Sequence, residues 1–442
     1  MFSVDDISVY IFNWKKVTNN SLKLYEKINL IIKNIVIINC DENTILDNNI
    51  IPHIQLDDTH YYGSQYNHAI KHIQENRILC VIVGDNIADN NFDTIFNSAI
   101  NTFNNYKIGI YAPYDKRSDS KNLTATFLEG TLYEVSNTDC GFWFINPYIV
   151  SQLKHINYSL SKFGWGIDKY TIDYSKARKY LVLRDNSVET DQLDHTCGYN
   201  IGQAVIGMNI LRSEYRKLAK IYFSFSLYGS QKKYTLGMIE NARILNKTFP
   251  NATVQIYVCD DVPNDIIETL KTISTVNLIY ISRKEKCLNM FDRFHVIDEP
   301  DCDIMFVRDA DSRVHERDIA CIEDFIKSDK SLHIIRDHHY HRTQILGGLW
   351  GICKSVLSEP MKITIQNWLK DKVIDDRGTD QIFLHETIYQ LFKNDAMIHD
   401  RYKFYEPRSM LTPFRVEIKN GLFCGQVHNY DSNGKEYTEF TA

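Results

Sequence analysis

The sequence predicts an α/β protein with two tandem domains, each built on a mainly parallel sheet flanked by helices. Apolar runs of strand length alternate with segments of helical periodicity, which is typical of parallel strands joined by crossover helices. The alternation stops in a charged segment near residue 215 and then starts again. A length of 442 residues also suits two domains of about 200 residues each.

Strand and helix patterns follow one another in order within each half. The first half predicts strand 8–14, helix 21–32, strand 35–42, helix 63–75 and strand 78–86. The second half predicts strand 220–229, helix 234–246, strand 253–261, helix 265–273, a strand from 276 and a strand over 304–307. The halves share no obvious residue identity and no Pro/Gly linker separates them. We therefore expect closely packed domains over 1–214 and 215–442.

Composition and charge narrow the possible functions. The net charge of −6 gives no uniformly basic surface, so we expect no nucleic-acid partner. No apolar run approaches the roughly 18 residues that a membrane-spanning helix needs, and the N-terminus has acids where a secretion signal has bases. The ten cysteines are scattered singly, which favours reduced thiols and a cytoplasmic location.

An acidic pair follows the apolar strand over 304–307. Asp309 and Asp311 are two positions apart, so they project from one face of an extended chain, at the edge where open α/β sheets bind ligands. Two such carboxylates repel each other unless a cation neutralises them. Hard oxygen ligands suit Mn²⁺ or Mg²⁺, with substrate phosphates completing the shell. The alternative is a solvated turn with surface ion pairs.

Basic and aromatic residues of the second half are candidate donor-binding groups. Arg293, Arg308 and Arg313 carry guanidiniums, which bind phosphate or carboxylate oxygens in bidentate fashion. Tyr228, at the end of the strand over 220–229, is grouped with them. The cluster 337–341 is rich in histidine, but its spacing fits no zinc motif, so we expect it to line a substrate groove.

With its acidic pair at a strand end, the second half resembles nucleotide-sugar glycosyltransferases of the GT-A fold, whose hallmark is a DxD sequence at this place. The resemblance implies a cation that bridges the acidic pair and the diphosphate of a UDP- or GDP-sugar. Gly347 and Gly348 resemble the turn against which retaining members place the donor sugar. Asp380 and Gln381 resemble a pair that faces the anomeric carbon, although a helix cap would also explain Asp380.

The resemblance also implies a third metal ligand near the C-terminus. In some related families a histidine there completes the metal shell. His428 is the first candidate for this role, and His399 is the second. A structural histidine is the alternative in both cases, because a lone histidine ligates less often than it packs.

The first half resembles inverting GT-A enzymes of the family 2 type. Asp41 closes the second strand, where that family has a base-contacting aspartate, and Asp85 lies at the acidic strand tip that binds donor and metal. The stretch from Gly164 resembles a GWGxED-type segment, which implies Trp165 as a donor wall and Asp168 as the catalytic base. His195 resembles a late histidine that contacts metal or diphosphate. The alternatives are a core side chain for Trp165, a structural histidine for His195 and a strand-end cap for Asp85.

These features together predict a bifunctional, metal-dependent glycosyltransferase that extends a glycan or polysaccharide from nucleotide-sugar donors. The first domain is expected to invert and the second to retain the anomeric configuration. The tip 84–86 carries one carboxylate where the family has two or three, so a degenerate first domain that only binds the acceptor is an alternative. A sugar nucleotidyltransferase, which would need a glycine-rich loop with a lysine, and a non-enzymatic glycan-binding protein are the other two.

Overall fold

The computed structural model describes residues 1–87, 91–116, 125–193, 200–284, 288–370, 372, 378–431 and 435–439. The chain divides into two compact units, Met1–Lys217 (unit 1) and Leu218–Ala442 (unit 2). The expected seam after residue 214 lies inside the last helix of unit 1. Across the described ranges, no helix combines the length and apolar character needed to cross a membrane.

Unit 1 contains a sheet of nine described strands in the order β3-β2-β1-β4-β8-β5-β9-β7-β6. Its strands are β1 (Ile7–Trp14), β2 (Ile35–Cys40), β3 (His53–Gln55), β4 (Ile78–Val83), β5 (Ile108–Asp115), β6 (Ala125–Glu129), β7 (Leu132–Val135), β8 (Phe142–Ile145) and β9 (Leu181–Thr190). Its helices are α1 (Thr18–Ile28), α2 (Tyr62–His72), α3 (Phe92–Asn105), α4 (Pro147–Leu153), α5 (Ile167–Ala177) and α6 (Ile201–Lys217), with 3-10 turns at Val4–Asp6 and Tyr158–Leu160.

Unit 2 contains a sheet of seven described strands in the order β12-β11-β10-β13-β15-β14-β16. Its strands are β10 (Ile221–Leu227), β11 (Thr253–Cys259), β12 (Val276–Ile281), β13 (Ile304–Arg308), β14 (Leu332–Arg336), β15 (Leu349–Cys353) and β16 (Ala396–Asp400), and a hairpin joins β17 (His428–Tyr430) to β18 (Glu436–Thr438). Its helices are α7 (Lys232–Thr248), α8 (Asn264–Lys271), α9 (Glu316–Lys327), α10 (Met361–Leu369), α11 (Thr379–Leu384) and α12 (Gln390–Phe392). Short 3-10 segments cover Leu288–Met290, Asp292–Asp298, Lys354–Val356, Lys393–Asp395 and Arg408–Met410, and a π-helical turn covers His385–Tyr389.

The central strands are buried along nearly their whole length. Every residue of β13 is buried, as are seven of the eight residues of β1. Parallel strands covered by helices on both faces need such continuous apolar runs, and each buried large side chain contributes about 1.5–3 kcal/mol. In the core of unit 1, Ile11 of β1 clusters with Leu24 of α1 and Phe96 of α3.

Both units follow one topological plan. Three parallel strands pair in the order third-second-first with a fourth beside the first, and an antiparallel strand comes next. That antiparallel strand is β8 in unit 1 and β15 in unit 2. The strand on its other side, β5 or β14, again has the direction of the first four strands. The structure thus confirms the α/β class with two mainly parallel sheets flanked by helices.

Candidate functional site

One edge of the unit 2 sheet brings several polar segments together. The carboxyl ends of β10 and β13 meet there, and the antiparallel β15 begins beside them. A small cleft opens at this edge. Its lining includes four of the residues that the sequence singles out, Tyr228, Arg293, Asp309 and Asp311.

Arg293 connects two of the predicted carboxylates. It lies in the 3-10 segment Asp292–Asp298 and is buried. Its Nη1 donates to Asp309 Oδ1 at 2.5 Å, and its Nη2 donates to Asp380 Oδ2 at 3.1 Å. A buried guanidinium needs such partners, because an unpaired buried charge is strongly destabilising. Arg293 therefore fixes the positions of Asp309 and Asp380 relative to each other.

The two glycines before β15 lie directly against these carboxylates. A Cβ atom on Gly347 would lie 2.3 Å from Asp380 Oδ2, and one on Gly348 would lie 2.0 Å from Asp309 Oδ2. Neither glycine is among the residues with positive φ. Space for the two carboxylates, not backbone conformation, therefore explains why no side chain is present at these positions.

Asp380 is the second residue of α11 and is almost fully buried. Gly378, with a φ of 81°, caps this helix without a side-chain hydrogen bond. Burial raises the pKa of Asp380 above its ordinary value, although Arg293 opposes the shift. The backbone amide of Gln381 also opposes this rise in the pKa. Among the described residues, Asp380 Oδ1 has no hydrogen-bond partner.

Asp311 and Asp309 place two negative charges in one corner of the cleft. Burial and then the charge of Asp309 raise the pKa of Asp311 to about 6. Within the described part of the chain, no three His, Cys, Asp or Glu side chains are arranged to hold a metal ion. The pair still fits a Mn²⁺ or Mg²⁺ ion, since these ions bind through one or two carboxylates and complete their shells with water and substrate phosphate oxygens.

His428 lies beside this acidic corner. It begins β17, and its amide donates to the backbone oxygen of Asp311 at 2.8 Å. Its Nδ1 lies 3.2 Å from Glu436 Oε1, and its buried Nε2 has no hydrogen-bond partner among the described residues. Burial and the neighbouring Arg313 lower the pKa of His428. A neutral imidazole with an unused nitrogen is able to ligate a metal.

The second candidate histidine belongs to a different environment. His399 is fully buried, with its Nδ1 3.4 Å from the Nε2 of His333 and its Nε2 3.9 Å from Asp324. Although burial opposes the shift, Asp324 and Cys321 raise the pKa of His399 to about 9. His399 is thus surrounded by buried partners and does not line the cleft, which favours a structural role for it.

Two of the three predicted phosphate-binding arginines have structural roles. Arg308 is fully buried and pairs with Asp318 through its Nε and Nη2, at 2.8 and 2.7 Å. Its Nη1 donates to backbone oxygens of Val307 and Trp350. The prediction for Arg308 is wrong, because its donors are already occupied inside the sheet edge.

Arg313 is also engaged within the protein. Its Nε donates to Glu436 at 2.9 Å and its Nη2 donates to the Tyr430 hydroxyl at 2.9 Å. Its Nη1 donates to the backbone oxygen of Ser312. The side chain thus holds the C-terminal hairpin against the loop after β13. The prediction that Arg313 grips phosphate is corrected in favour of this anchoring role.

Sequence reasoning missed part of the cleft lining, namely Ser226, Tyr234, Met290 and Ala310. The Tyr234 ring lies 6.3 Å from that of Tyr228, and the guanidinium of Arg283 lies 4.1 Å from the centre of the Tyr228 ring. Gly229, with a φ of 76°, turns the chain between the two tyrosines. Tyr234 could have been predicted from the sequence, because it lies in the first turn of α7, shortly after the end of β10.

The corresponding edge of unit 1 also assembles predicted residues. Asp85 follows β4 and is 2% exposed, and Asn86 donates to the backbone oxygen of Gly141 at 3.0 Å. Burial and the charges of Asp139 and Asp168 raise the pKa of the adjacent Cys140 thiol. Asp168 is therefore close to the segment that packs on the β4 tip.

Asp168 is the second residue of α5, which Gly166 caps with a φ of 91°. The side chain is half-buried, and its partial burial raises the pKa of Asp168 above the ordinary value. Trp165 is half-buried beside it, not part of the core, and its backbone oxygen accepts from Ser161 Oγ at 2.9 Å. This helix start places a carboxylate with raised proton affinity at the sheet edge.

Asp41 and His195 are the two remaining predicted residues of unit 1. The carboxylate of Asp41 accepts hydrogen bonds from Thr18, Thr44 and the amide of Asn43, at 2.9, 2.7 and 3.1 Å. Although burial opposes the shift, these hydrogen bonds lower the pKa of Asp41. His195 lies outside the described residues.

No family model matches this chain, and no curated protein matches it. A putative glucose-1-phosphate thymidylyltransferase from Bacillus anthracis is similar at 14% identity and a TM-score of 0.31, over 46% of this chain and 95% of that one. A glycosyltransferase involved in glycosylation of the major capsid of PBCV-1 is similar at 15% identity and a TM-score of 0.29, over 41% and 82%. A mannosyltransferase from Pyrobaculum calidifontis, in complex with GDP-Man and Mn²⁺, is similar at 11% identity and a TM-score of 0.32, over 48% of this chain and 63% of its own. Likeness at this level establishes neither a family nor an activity.

Proposed function

We propose that unit 2 is a glycosyltransferase domain that uses a nucleotide-diphosphate sugar. The observation that carries this proposal is the convergence of Arg293, Asp309, Asp380 and the two glycines before β15 at one sheet edge. These residues come from separate segments of the chain, and the sequence or its resemblance to GT-A enzymes predicts each of them as a site residue. A plain surface turn does not require glycines packed against two buried or half-buried carboxylates.

The chemistry follows from where charge develops during transfer. The bond between the anomeric carbon and the diphosphate oxygen breaks, and an acceptor hydroxyl takes the place of the leaving group. A divalent cation held by Asp309 and Asp311, with His428 beside them, would neutralise the departing diphosphate. Arg293 holds Asp309 in place for that role.

Asp380 is the residue we assign to the sugar side of the reaction. Its Oδ1 is the carboxylate oxygen without a hydrogen-bond partner in the described chain. A fixed carboxylate near the anomeric carbon stabilises the positive charge of an oxocarbenium-like transition state. We propose that transfer by unit 2 retains the anomeric configuration and that Gln381 lies next to the reacting carbon.

The aromatic pair in the cleft lining suits the nucleoside. Tyr228 and Tyr234 line the same cleft as the acidic pair. Aromatic faces stack on nucleobases without strong base preference, at about 1–3 kcal/mol for each base. We propose that the UDP or GDP moiety lies between these rings and the acidic corner.

We propose that unit 1 is a second transferase module of the inverting type, with Asp168 as its base. Direct displacement requires a carboxylate that takes the proton of the acceptor hydroxyl, and a raised pKa suits that task. A second candidate role, acceptor binding without catalysis, is favoured by Asp85, which is a single and buried carboxylate at the strand tip. Under either role, the substrate is a growing glycan or polysaccharide.

A panel of nucleotide sugars tests the proposal on the full chain. Each donor is incubated with Mn²⁺, with Mg²⁺ and with EDTA, and hydrolysis of the sugar–phosphate bond is scored. We expect at least one UDP- or GDP-sugar to be hydrolysed in a metal-dependent way. Release of pyrophosphate from a nucleoside triphosphate and a sugar phosphate, without such hydrolysis, would instead establish a nucleotidyltransferase.

A further inference from the structure

A group of exposed aromatic side chains lies at the same sheet edge of unit 2, outside the cleft. Tyr340 follows β14, and Tyr402, Phe404 and Tyr405 follow β16; we call these four residues the aromatic shelf. Tyr340 is 64% exposed, Tyr405 is 40% exposed and Phe404 is 37% exposed. Large aromatic groups clustered in water are uncommon on a protein surface and mark binding sites.

The shelf is held rigidly from below. Arg336 is fully buried and pairs with Asp400 at 2.8 Å and with Glu406. Asp400 accepts from the amides of Tyr402 and Lys403, both at 2.8 Å, and the Tyr389 hydroxyl donates to Glu406 at 2.7 Å. A loop ordered in this way loses little conformational entropy when a ligand binds.

The rings of Tyr402, Phe404 and Tyr405 contact one another in sequence and have basic neighbours. Tyr402 and Phe404 are stacked, with ring centroids 5.6 Å apart and an interplanar angle of 10°. The guanidinium of Arg401 lies 5.3 Å from the Tyr402 ring, and that of Arg342 lies 5.9 Å from the Phe404 ring. Arg342, Arg401 and Lys403 are exposed, whereas the two acids of this loop are buried and paired with Arg336.

The shelf and the acidic corner lie at the same edge of the unit 2 sheet. β14 and β16 run parallel, and β14 has the direction of β13, so their carboxyl ends share the edge that holds Asp309. Burial and His338 lower the pKa of His341 to about 4, while the charges of Asp400 and Asp309 act in the opposite direction. His341 is therefore within electrostatic reach of both the shelf and the cleft.

We infer that the aromatic shelf binds an acidic saccharide, which, on the function proposed above, is the acceptor of unit 2. The apolar face of a pyranose ring stacks on the exposed face of Phe404, which Tyr402 supports from behind, and its carboxylate or sulfate group pairs with Arg342 and Arg401. Rings supply the contact area, and the absence of exposed acids in this loop supplies the preference for negative charge.

Calorimetric titration of the full chain with two matched oligosaccharides tests this inference. Hexagalacturonate is the acidic probe and maltohexaose is the neutral one. We expect hexagalacturonate to bind about tenfold more tightly at low salt, with the difference shrinking as ionic strength rises. Replacing both arginines, Arg342→Gln with Arg401→Gln, lowers the affinity for the acidic probe about three- to tenfold and leaves the neutral probe unchanged.

Phe404→Ala provides the aromatic arm of the test and weakens both probes about fivefold. Arg243→Gln on α7 and Tyr280→Ala on β12 remove exposed side chains of the same types elsewhere in unit 2 and change neither affinity. Thermal melting of each variant checks that the fold is intact.

Three results overturn the inference: no binding of hexagalacturonate, equal binding of both probes, or equally tight binding of single-stranded RNA of matched charge. Titration with UDP and GDP in the presence of Mn²⁺ separates this inference from the proposed function. Binding of the acidic probe without nucleotide binding would refute the transferase and keep the shelf. Nucleotide binding without saccharide binding would refute the shelf alone.

Discussion

In unit 1 the strand β4 runs into Gly84, Asp85 and Asn86, whereas in unit 2 the strand at the same place in the order, β13, runs into Asp309 and Asp311. The first tip has one carboxylate, which is buried. The second has two, and one of them is 44% exposed in the cleft and bound by a buried arginine. The same topology thus presents a weakly charged tip in one unit and a strongly charged one in the other.

The units agree more closely at the helix that faces each tip. Gly166 caps α5 and Gly378 caps α11, both with positive φ, and an aspartate is the second residue of each helix. Burial raises the pKa of both aspartates. The charged groups that act on the pKa of Asp168 are Lys169 and Asp173 of its own helix, whereas Asp380 is paired with Arg293. The proposed proton acceptor of unit 1 and the proposed fixed negative charge of unit 2 thus share one local geometry.

The largest expected effect comes from Asp311→Asn, which should lower unit 2 transfer about a thousandfold and at the same time stabilise the protein. The pKa of Asp311 in the folded chain is about 6, above its value of 3.8 in a free chain. A carboxyl group whose pKa is raised by folding lowers the free energy of unfolding as the pH rises from about 4 to 6. Above that range the loss stays at its full size. Without metal at pH 7, we expect the variant to gain about 2 kcal/mol in the free energy of unfolding.

Denaturant titrations at pH 7 and pH 4 check the predicted stabilisation, because the gain in the free energy of unfolding should vanish at the lower pH. Asp265→Asn, an exposed carboxylate in the first turn of α8, serves as the control. Full transfer activity in the Asp311 variant would refute the metal assignment.

Asp168→Asn tests the other side of the comparison. We expect it to reduce the unit 1 product about a hundredfold or more while the unit 2 product is unchanged, since an amide takes no proton from the acceptor. Product linkages are resolved by NMR after incubation with both donors. If both linkages form at the normal rate, Asp168 is not a base, and the acceptor-binding role of unit 1 gains support.

The sequence could predict this comparison only in part. Apolar runs located β1, β2, β4 and β10 to β13, because this signal is local, whereas β5, β14, β16 and the start of α5 were not predicted. The direction of β8 and β15 could not be inferred, since an apolar run does not encode strand polarity. Likewise, Arg293, Arg308 and Arg313 look alike in sequence, and only the tertiary partners of each guanidinium separate a cleft residue from two structural ones.

Glycine substitutions measure how tightly each tip is packed. Gly348→Ala should lower unit 2 activity about a hundredfold. Its Cβ would lie only 2.0 Å from Asp309 Oδ2, so the carboxylate would have to move. Gly141→Ala, at the matching place before β8, should lower unit 1 activity only a few-fold, since its nearest contact, Asp139 Oδ1 at 2.9 Å, is less close than the contact at Gly348. Steady-state kinetics on both products distinguish the two, and Gly202→Ala on the exposed side of α6 is the control. Equal losses at both sites would remove the difference that we draw between the units.

Arg293→Lys asks whether the bridge between Asp309 and Asp380 matters. A lysine has one ammonium in place of the planar fork, so it cannot satisfy both carboxylates at once. We expect activity of unit 2 to fall about tenfold and the free energy of unfolding to fall by about 3 kcal/mol, as for other broken buried pairs. The Lys284→Gln variant, which removes a half-exposed cation near Asp292, is the matched comparison. Unchanged activity and stability would show that the bridge is dispensable.

The smallest effect is expected for Arg313→Gln, and it separates two interpretations of the same side chain. If Arg313 bound phosphate, the variant would lose donor affinity at every Mn²⁺ concentration. Because its donors hold Glu436 and Tyr430 of the hairpin that begins at His428, we expect a several-fold higher Mn²⁺ requirement instead. At saturating Mn²⁺ the KM of Arg313→Gln for the donor should then change less than about twofold. The control variant Arg243→Gln should show an equally small change. A KM that stays raised under saturating metal would return Arg313 to the donor site and require a different anchor for the hairpin.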